Sequence, residues 1–401
     1  MLMMNPQKVE KVSSILADRM SKLGTETAFE VLARARALEK QGHEIVHLEI
    51  GEPDFDTPQN IKDAAIKALK AGYTHYTPSA GILELREAIA KHVSKSRGIN
   101  VDPDEVVVTT GGKPVMSFVI LACVNPGDEV MYPNPGYPIY ESMINFIGGK
   151  PIPIPLLEKN DFRLNPADIT KKLTKKTKLI ILNSPNNPTG GLLTKDDLKT
   201  IADSVMDKDN LMILSDEIYS RILYEGKHES IASLPGMKDK TVILDGFSKT
   251  YAMTGWRLGY GVMRKDLAKQ IARLNTNFVS CANAVTQMAG IEALEGPQGE
   301  VTKMVAEFKK RRDVIVSGLN KISNLSCTKP KGAFYVFPNF KKIGMEGHKM
   351  RDFLLEKAGV ASLPGVDFGK YGEGYVRFSY ANSVENIKKA LVKIEDALRK
   401  L

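Results

Sequence analysis

Short apolar strands alternate with helical segments through the first two thirds of the chain, and this alternation constrains the fold most. Strand-like runs are predicted at residues 106–109, 129–132, 179–182, 211–214 and 242–244, with helical periodicity between most of them. The runs are apolar at nearly every position, which is typical of parallel strands that are buried on both faces. The sequence therefore predicts an α/β fold with a mostly parallel sheet flanked by helices, whose ligands bind at the carboxyl ends of the strands.

The pattern changes after a long helical stretch at about residues 267–319. Strands are predicted at residues 333–337 and 375–380, and a final helix at 383–398. This second pattern favours a smaller α+β domain. We predict three parts: residues 1–55, an N-terminal segment that contributes to the small domain; residues 56–300, a large ligand-binding domain; and residues 301–401, a small C-terminal domain.

The composition argues against several classes of protein. The 401 residues carry a net charge of +9, but the basic residues are spread out, and the densest run, at residues 171–178, has no interleaved aromatic residue. Nucleic-acid binding is therefore not expected. The three cysteines lack metal or redox spacing, and no apolar stretch approaches the roughly 20 residues that span a bilayer. We expect a cytoplasmic protein with reduced thiols, without a metal site or a membrane segment.

Residues suited to ligand binding follow the first two of these strands. Gly111, Gly112 and Lys113 open a helix, where small residues let backbone N–H groups approach an anion, although an ordinary helix cap is the simpler interpretation. Tyr137 begins the helix after the second strand. It could offer a flat face to an aromatic ring or be an ordinary packed tyrosine.

The next two strands end in polar residues. Asn187 lies in the turn-rich stretch SPNNPTG at residues 184–190, and a residue before proline is held extended, so that its amide can point at a ligand. Asp216 and Tyr219 lie in the stretch SDEIY at residues 215–219. An acid at the end of a buried strand needs a cationic partner or incurs a desolvation cost.

Lys249 follows the last of these strands, and Ser248 and Arg257 lie nearby. A lone lysine after a strand is more often a surface residue than a nucleophile, but the groups at the other strand ends change that balance. An anion site, an aromatic face, an amide, a buried acid and a lysine together suit pyridoxal 5′-phosphate. This cofactor needs a lysine for its covalent attachment and an acid to keep its ring nitrogen protonated.

At this point several motifs resemble those of fold-type I, class I/II aminotransferases, with the closest likeness to the aspartate aminotransferase-like branch of bacteria and archaea. The motifs stand in the family's order and cover nearly the whole chain: IGEPDFDTP (50–58), HYTPSAGILELREAI (75–89), SPNNPTG (184–190), SDEIY (215–219), GFSKTYAMTGWRLGY (246–260) and YVRFSY (375–380). The resemblance implies a transaminase that is a homodimer with shared active sites.

The resemblance also implies roles for individual residues. Lys249 would be the catalytic lysine that binds the cofactor and moves the proton, Asp216 the partner of the ring nitrogen, and Arg377 the bidentate clamp for the substrate α-carboxylate. The remaining residues would contact the cofactor ring, its phosphate or the substrate: Tyr137, Asn187 and Tyr219 at the ring; Gly111, Gly112, Lys113, Ser248, Arg257 and the partner-reaching Tyr76 at the phosphate; Gly51, Tyr137 and Asn187 at the substrate. A cis Asn187–Pro188 bond is also implied, against the general preference for trans.

Two departures from the family pattern bear on function. Gly246 stands where the family often has a serine, which leaves more of the phosphate binding to Ser248 and Arg257. Residues 274–300 contain no Lys or Arg, so the partner-subunit arginine that grips a second carboxylate in some aspartate enzymes is missing. Lys113 could supply that cation, although a role near the phosphate or in solvent is equally compatible with the sequence.

The expected activity is transfer of an amino group between an L-amino acid and a 2-oxo acid in a ping-pong cycle, with aspartate and 2-oxoglutarate as the first choice. Alanine, aromatic or broad specificity is the alternative, as is a lyase reaction on the same fold, because small pocket changes alter specificity. A transcriptional regulator with an aminotransferase-like domain is disfavoured, because only about 25 residues precede the family-like segment, too few for a helix-turn-helix domain.

Overall fold

The computed structural model describes residues 15–401. Their helices are α1 Ala28–Lys40, α2 Gln59–Lys70, α3 Leu83–Arg97, α4 Gly112–Cys123, α5 Ile139–Phe146, α6 Pro166–Lys172, α7 Lys195–Val205, α8 Lys265–Phe278, α9 Ala284–Glu295, α10 Gly299–Leu319, α11 Gly347–Glu356 and α12 Val384–Leu398. Within this part of the chain, no helix is long and apolar enough to cross a membrane.

The strands form three sheets. They are β1 Val46–His47, β2 Val106–Thr109, β3 Glu129–Asn134, β4 Lys150–Pro155, β5 Thr177–Asn183, β6 Met212–Asp216, β7 Thr241–Gly246, β8 Gly259–Val262, β9 Tyr335–Val336, β10 Val360–Ala361, β11 Leu363–Pro364 and β12 Val376–Ser379. The large sheet has seven strands in the order β2-β8-β7-β6-β5-β3-β4, and only β8 runs antiparallel to its neighbours. The predicted α/β fold with a mostly parallel sheet is therefore confirmed.

Both faces of the large sheet are covered, which explains the continuous apolar strands. In β5, Ile180 and Leu182 point into the core beneath α7, whereas Leu179 and Ile181 point into the core beneath α4 and α8. Successive side chains of a strand point to opposite faces, so every position is buried when both faces are covered. This arrangement leaves the carboxyl ends of the parallel strands as the polar edge of the sheet.

Two strands of the large sheet lack a clear strand signal in the sequence. Strand β4 has the sequence KPIPIP, and its prolines are tolerated because β4 lies at the edge of the sheet, where one side needs no N–H donors. Strand β8 begins at Gly259, which pairs with Gly246 on β7. A Cβ atom on Gly259 would lie 2.5 Å from the backbone carbon of Gly111, so the close approach of these segments requires glycine.

A smaller α+β region lies against the carboxyl ends of the parallel strands. Strands β11, β12 and β9 form an antiparallel sheet, and the buried side chains of β9 and β12 share a core with α10, α11 and α12. Strand β1, near the start of the described chain, pairs in parallel with β10, with Val46 opposite Val360. This pairing brings the segment after α1 to the C-terminal region and places Gly51 beside the polar edge.

Candidate active site

A cavity of about 1010 Å³ lies between the carboxyl edge of the large sheet and the smaller region. Most residues that the sequence predicted for the site line it: Gly51, Gly112, Lys113, Tyr137, Asn187, Asp216, Tyr219, Ser248, Lys249, Arg257 and Arg377. Gly111 lies directly behind this lining. Tyr76 does not line it, and its side chain is 90% exposed in the loop between α2 and α3.

One end of the cavity has the features of an anion-binding site. Gly111 has a φ of 88°, and a Cβ atom there would lie 2.2 Å from Nη2 of Arg257, so glycine lets the guanidinium approach the start of α4. Arg257 donates hydrogen bonds to the carbonyl oxygens of Thr254 at 2.9 Å and Thr110 at 3.3 Å. Free backbone N–H groups at a helix start, next to a guanidinium, are suited to a phosphate.

Asp216 is a buried acid without a cationic partner. Its Oδ2 accepts a hydrogen bond of 2.6 Å from the hydroxyl of Tyr140, and its Oδ1 accepts one of 3.2 Å from the backbone N–H of Ile218. No Lys, Arg or His among residues 15–401 lies within ion-pair distance. Burial raises the pKa of Asp216 to about 6 despite these two hydrogen bonds. The carboxylate is thus suited to a positively charged ring nitrogen.

Lys249 is a buried amine in the same cavity. Its Nζ donates a 2.6 Å hydrogen bond to the carbonyl oxygen of Gly51, and no carboxylate of the described chain lies within ion-pair distance of it. Burial lowers the pKa of Lys249 to about 8, although the negative charge of Glu52 opposes the effect. A substantial fraction of this amine is neutral near pH 8, which a nucleophile requires.

Arg377 presents a guanidinium with unused hydrogen-bonding capacity. It lies on β12, where Nη2 donates to the carbonyl oxygen of Glu49 and Nη1 donates to Oδ1 of Asn187 at 3.3 Å. Its Nε is buried and has no hydrogen-bond partner within the described chain. Burial lowers the pKa of Arg377, an effect that the hydroxyls of Tyr335 and Tyr219 oppose. A buried cation in this state is suited to a carboxylate ligand.

The polar side chains around Asp216, Lys249 and Arg377 are held in place by hydrogen bonds to neighbouring polar groups. The backbone N–H of Asn187 donates to Oδ1 of Asn183 at 2.9 Å, and the hydroxyls of Tyr219 and Tyr335 lie 2.8 Å apart. The Asn187–Pro188 bond is cis, as the resemblance implied; Asn134–Pro135 and Ser184–Pro185 are also cis. The amide and the two tyrosines are thus fixed at the cavity wall.

Tyr140, Tyr335 and Glu26 contact the predicted site residues but were not found by sequence reasoning. Tyr140 and Tyr335 are almost completely buried and support Asp216 and Tyr219. Glu26 precedes α1, and its Oε1 accepts hydrogen bonds from Lys113 and, at 2.6 Å, from the hydroxyl of Tyr137. Tyr140 was detectable as the second tyrosine of the YPIY stretch, but the local sequence around Glu26 carries no signal for its position.

A family model described as aminotransferase class I and II matches residues 43–394. The chain belongs to this family. Its members use pyridoxal phosphate to transfer amino groups between amino acids and 2-oxo acids, and the protein is a transaminase of this kind.

Relatives with different substrate names are similarly close to this aminotransferase. An aspartate aminotransferase of Pyrococcus horikoshii is 41% identical over 392 residues, covering 97% of this chain and 98% of the relative. An aromatic-amino-acid aminotransferase of Thermococcus litoralis is 40% identical over 388 residues, covering 96% and 98%. The structure of aspartate aminotransferase from Thermus thermophilus with maleate has a TM-score of 0.91 and 37% identity, covering 95% of this chain and 99% of that one.

The residues of the cavity fit the family's cofactor. The buried carboxyl of Asp216 has no cation of its own, the amine of Lys249 has a lowered pKa, and the Arg257 guanidinium packs on a glycine at a helix start. These three features match the ring nitrogen, the carbonyl carbon and the phosphate of pyridoxal phosphate.

Proposed function

We propose that the cavity holds pyridoxal phosphate through these residues. Lys249 attaches the cofactor covalently, Asp216 pairs with the ring nitrogen, and Tyr137 covers one face of the ring. Asn187 and Tyr219 donate to the ring oxygen, and the phosphate is bound by Ser248, Arg257 and the backbone of Gly111, Gly112 and Lys113. The observation that carries the proposal is that an acid and an amine, both buried and neither paired with an opposite charge of the described chain, line one cavity.

The bound cofactor supplies an electron sink for cleavage of the substrate Cα–H bond. The carboxylate of Asp216 holds a proton on the ring nitrogen, which strengthens that sink. Once the substrate amino group has replaced it on the cofactor, the freed Nζ of Lys249 would accept and return the substrate proton, a task for which a pKa of about 8 is well matched near neutral pH. Gly51 and Tyr335 limit the space beside Lys249, since a Cβ atom on Gly51 would lie 2.4 Å from the Tyr335 hydroxyl.

Arg377 is proposed to bind the substrate α-carboxylate. Its guanidinium is held over the rings of Tyr335 and Phe368, at 4.7 and 5.0 Å from their centroids, which fixes its orientation. A planar guanidinium can donate two parallel hydrogen bonds to a carboxylate. Every amino acid and 2-oxo acid substrate carries this carboxylate, so the contact orients the substrate without selecting its side chain.

We propose aspartate and 2-oxoglutarate as the preferred substrates. Lys113 is one of the cations that line the cavity, besides Arg377, and it binds the side-chain carboxylate in place of the arginine that is absent from residues 274–300. The relative with maleate, a dicarboxylate, and the relatives named aspartate aminotransferase support this choice. Alanine or aromatic substrates are the second candidate, favoured by the name of the Thermococcus litoralis relative.

We further propose a cytoplasmic homodimer with shared sites. The exposed Tyr76 supports this proposal, because it lies away from the cavity of its own chain while matching a residue that the family directs to the partner's phosphate. Sedimentation of the wild type and of Tyr76→Phe, with the cofactor affinity of each, tests the shared site. A dimer whose cofactor affinity is unchanged in the variant would contradict the role of Tyr76.

A half-reaction screen tests the substrate. The cofactor-loaded protein is mixed with single L-amino acids, and the loss of the visible absorbance of the lysine-bound cofactor is followed. Fast loss with aspartate and glutamate, and slow loss with alanine and phenylalanine, is expected. The reverse order would show that the substrate proposal is wrong. Ammonia release without an acceptor 2-oxo acid would identify a lyase instead.

A further inference from the structure

Glu26 brings a negative charge next to Lys113, the cation proposed to bind a second substrate carboxylate. It lies two residues before α1, and its side chain is 23% exposed. Its Oε1 accepts hydrogen bonds from the Lys113 ammonium and from the Tyr137 hydroxyl at 2.6 Å. The Lys113 ammonium also lies 5.8 Å from the centroid of the Tyr137 ring. Glu26 thus occupies the anion position that Lys113 and Tyr137 create.

The residues on both sides of Glu26 are anchored, Gly24 through its backbone and Thr27 through its side chain. The N–H and the carbonyl oxygen of Gly24 each form a 3.0 Å hydrogen bond with the Ser142 hydroxyl, and the Thr27 hydroxyl donates to Asp367. Movement of the Glu26 carboxylate therefore requires rotation of its side chain, while the segment can remain in place. Because the side chain is partly exposed, water can receive the displaced carboxylate.

Electrostatic interactions stabilise the Glu26 carboxylate beside Lys113 and Tyr137 when no competing anion is bound. Burial raises the pKa of Glu26, but the hydrogen bonds from Lys113 and Tyr137 and the nearby charge of Arg377 outweigh it and leave the pKa below its usual value. The carboxylate is ionised at neutral pH. A substrate whose α-carboxylate binds Arg377 and whose side chain carries a second carboxylate would meet this like charge at Lys113.

We propose that Glu26 is a specificity-determining residue, whose carboxylate fills the second-carboxylate position of the free enzyme and must be displaced by acidic substrates. Substrates without a side-chain carboxylate leave the Glu26–Lys113 pair intact. The pair therefore raises the KM for dicarboxylic substrates and leaves neutral ones unaffected. The inference rests on the proposed function, because it takes Lys113 as the cation for the second carboxylate.

Glu26→Gln tests the charge, because an amide keeps an oxygen acceptor for Lys113 and Tyr137. In the cofactor-loaded variant, the KM for aspartate and 2-oxoglutarate should fall at least about tenfold, the size of a partly screened like-charge interaction. The KM for alanine and phenylalanine should stay within about twofold. Glu30→Gln, which removes the same charge from an exposed position on α1, is the matched control and should change neither.

Calorimetric binding of succinate and butyrate to the same proteins gives a readout that does not depend on turnover. These acids share a four-carbon chain and differ in the second carboxylate. Glu26→Gln should bind succinate at least about tenfold more tightly than the wild type, with butyrate unchanged. Glu26→Asp keeps the charge and should not gain succinate affinity; an equal gain in this variant would overturn the role of charge.

The two proposals fail in different ways. Aspartate that is inert with the wild type and with Glu26→Gln, while alanine reacts with both, would refute the proposed substrate. Succinate affinity that is the same in the wild type, Glu26→Gln and Glu30→Gln would overturn the inference about Glu26, whatever the preferred substrate. Matching circular dichroism spectra of the variants show that each comparison is made on folded protein.

Discussion

Asp216 and Glu217 are neighbours at the end of β6, and both are buried, but their electrostatic surroundings are opposite. Glu217 points away from the cavity into a buried ion cluster that it forms with Arg97, Asp245 and His228. Asp216 points into the cavity; with Lys249 and Arg377 it forms a set of three charges that lack an ionic partner within residues 15–401, and we call these three the cavity charges. The buried ion cluster is paired at every charge, whereas the cavity charges have no ionic partners within the described chain.

The geometry of the buried ion cluster is that of a structural element. Arg97 donates to Glu217 at 2.9 Å through Nε and to Asp245 at 2.7 Å through Nη2, and His228 lies 2.9 Å from Glu217 through Nε2. Burial alone would raise the pKa of Glu217, but His228 and Arg97 hold it far below its usual value. The cluster ties the end of α3 to β7 and to the residue after β6.

Two kinds of buried charge can be distinguished by their ionic partners. Desolvation acts on every buried ion. In the cluster, His228 and Arg97 outweigh desolvation at Glu217, whereas at Asp245 Arg97 opposes desolvation but burial still raises the pKa. In the cavity desolvation is not offset, so the pKa of Asp216 rises to about 6 and that of Lys249 falls to about 8. Unpaired buried charges indicate a ligand that completes them, whereas paired ones indicate a structural role.

The largest expected effect is on a cavity charge. Lys249→Ala should abolish amino-group transfer and the visible absorbance of the lysine-bound cofactor, because no other amine replaces Nζ. The free energy of unfolding of the cofactor-free variant should not fall by more than about 1 kcal/mol, since the lysine forms no ion pair within the described chain. Steady-state transfer assays and urea unfolding measure the two quantities. Residual transfer at about a tenth of the wild-type rate would contradict the assignment of Lys249.

The corresponding change in the buried ion cluster should affect stability instead. Arg97→Met should lower the free energy of unfolding by about 3–5 kcal/mol, because Glu217 and Asp245 lose the arginine that both of them contact. Urea unfolding at neutral pH measures this loss. Arg34→Met, which breaks the exposed pairs with Asp352 and Glu356, is the matched control and should cost at most about 1 kcal/mol. Equal losses in the two variants would remove the distinction between the cluster and an ordinary surface pair.

The pH dependence of stability should distinguish Asp216 from its neighbour. Its folded-state pKa of about 6 lies above the usual 3.8, so the folded protein holds the proton more tightly and stability falls as pH rises from about 4 to about 6. In cofactor-free Asp216→Asn this loss is absent. The variant should therefore gain up to about 3 kcal/mol over the wild type between about pH 4 and pH 7. A pH-independent difference in urea unfolding would show that the Asp216 pKa is not raised.

The smallest effect is expected from a substitution that keeps the positive charge of residue 377 and changes only the geometry of its hydrogen-bond donors. Arg377→Lys should raise the KM of every amino acid and 2-oxo acid substrate about 10- to 100-fold, the value of one or two hydrogen bonds to a carboxylate. Steady-state kinetics with aspartate, alanine and phenylalanine measures it. An increase confined to one substrate would mean that Arg377 contacts a side chain and not the shared α-carboxylate.

Much of the fold followed from sequence, because parallel strands buried on both faces have a distinctive apolar pattern. The same regularity places the residues after each strand at one edge, so Asn187, Asp216 and Lys249 could be grouped from their positions along the chain. Strand β4 was not predicted, because its prolines are untypical of a strand. Proline is tolerated there only because β4 lies at the edge of the sheet, and the order of strands is a property of the assembled sheet.

Chain order, residue type and the family resemblance therefore predicted the sheet, the cofactor class and eleven of the residues that line the cavity. Which charges are paired depends on contacts that the sequence did not reveal. Asp216 and Glu217 have the same local sequence, and Glu26 comes from a segment 87 residues away from Lys113. Whether a carboxylate meets an arginine, a hydroxyl or an open cavity depends on contacts between distant segments, and these contacts set its pKa and its role.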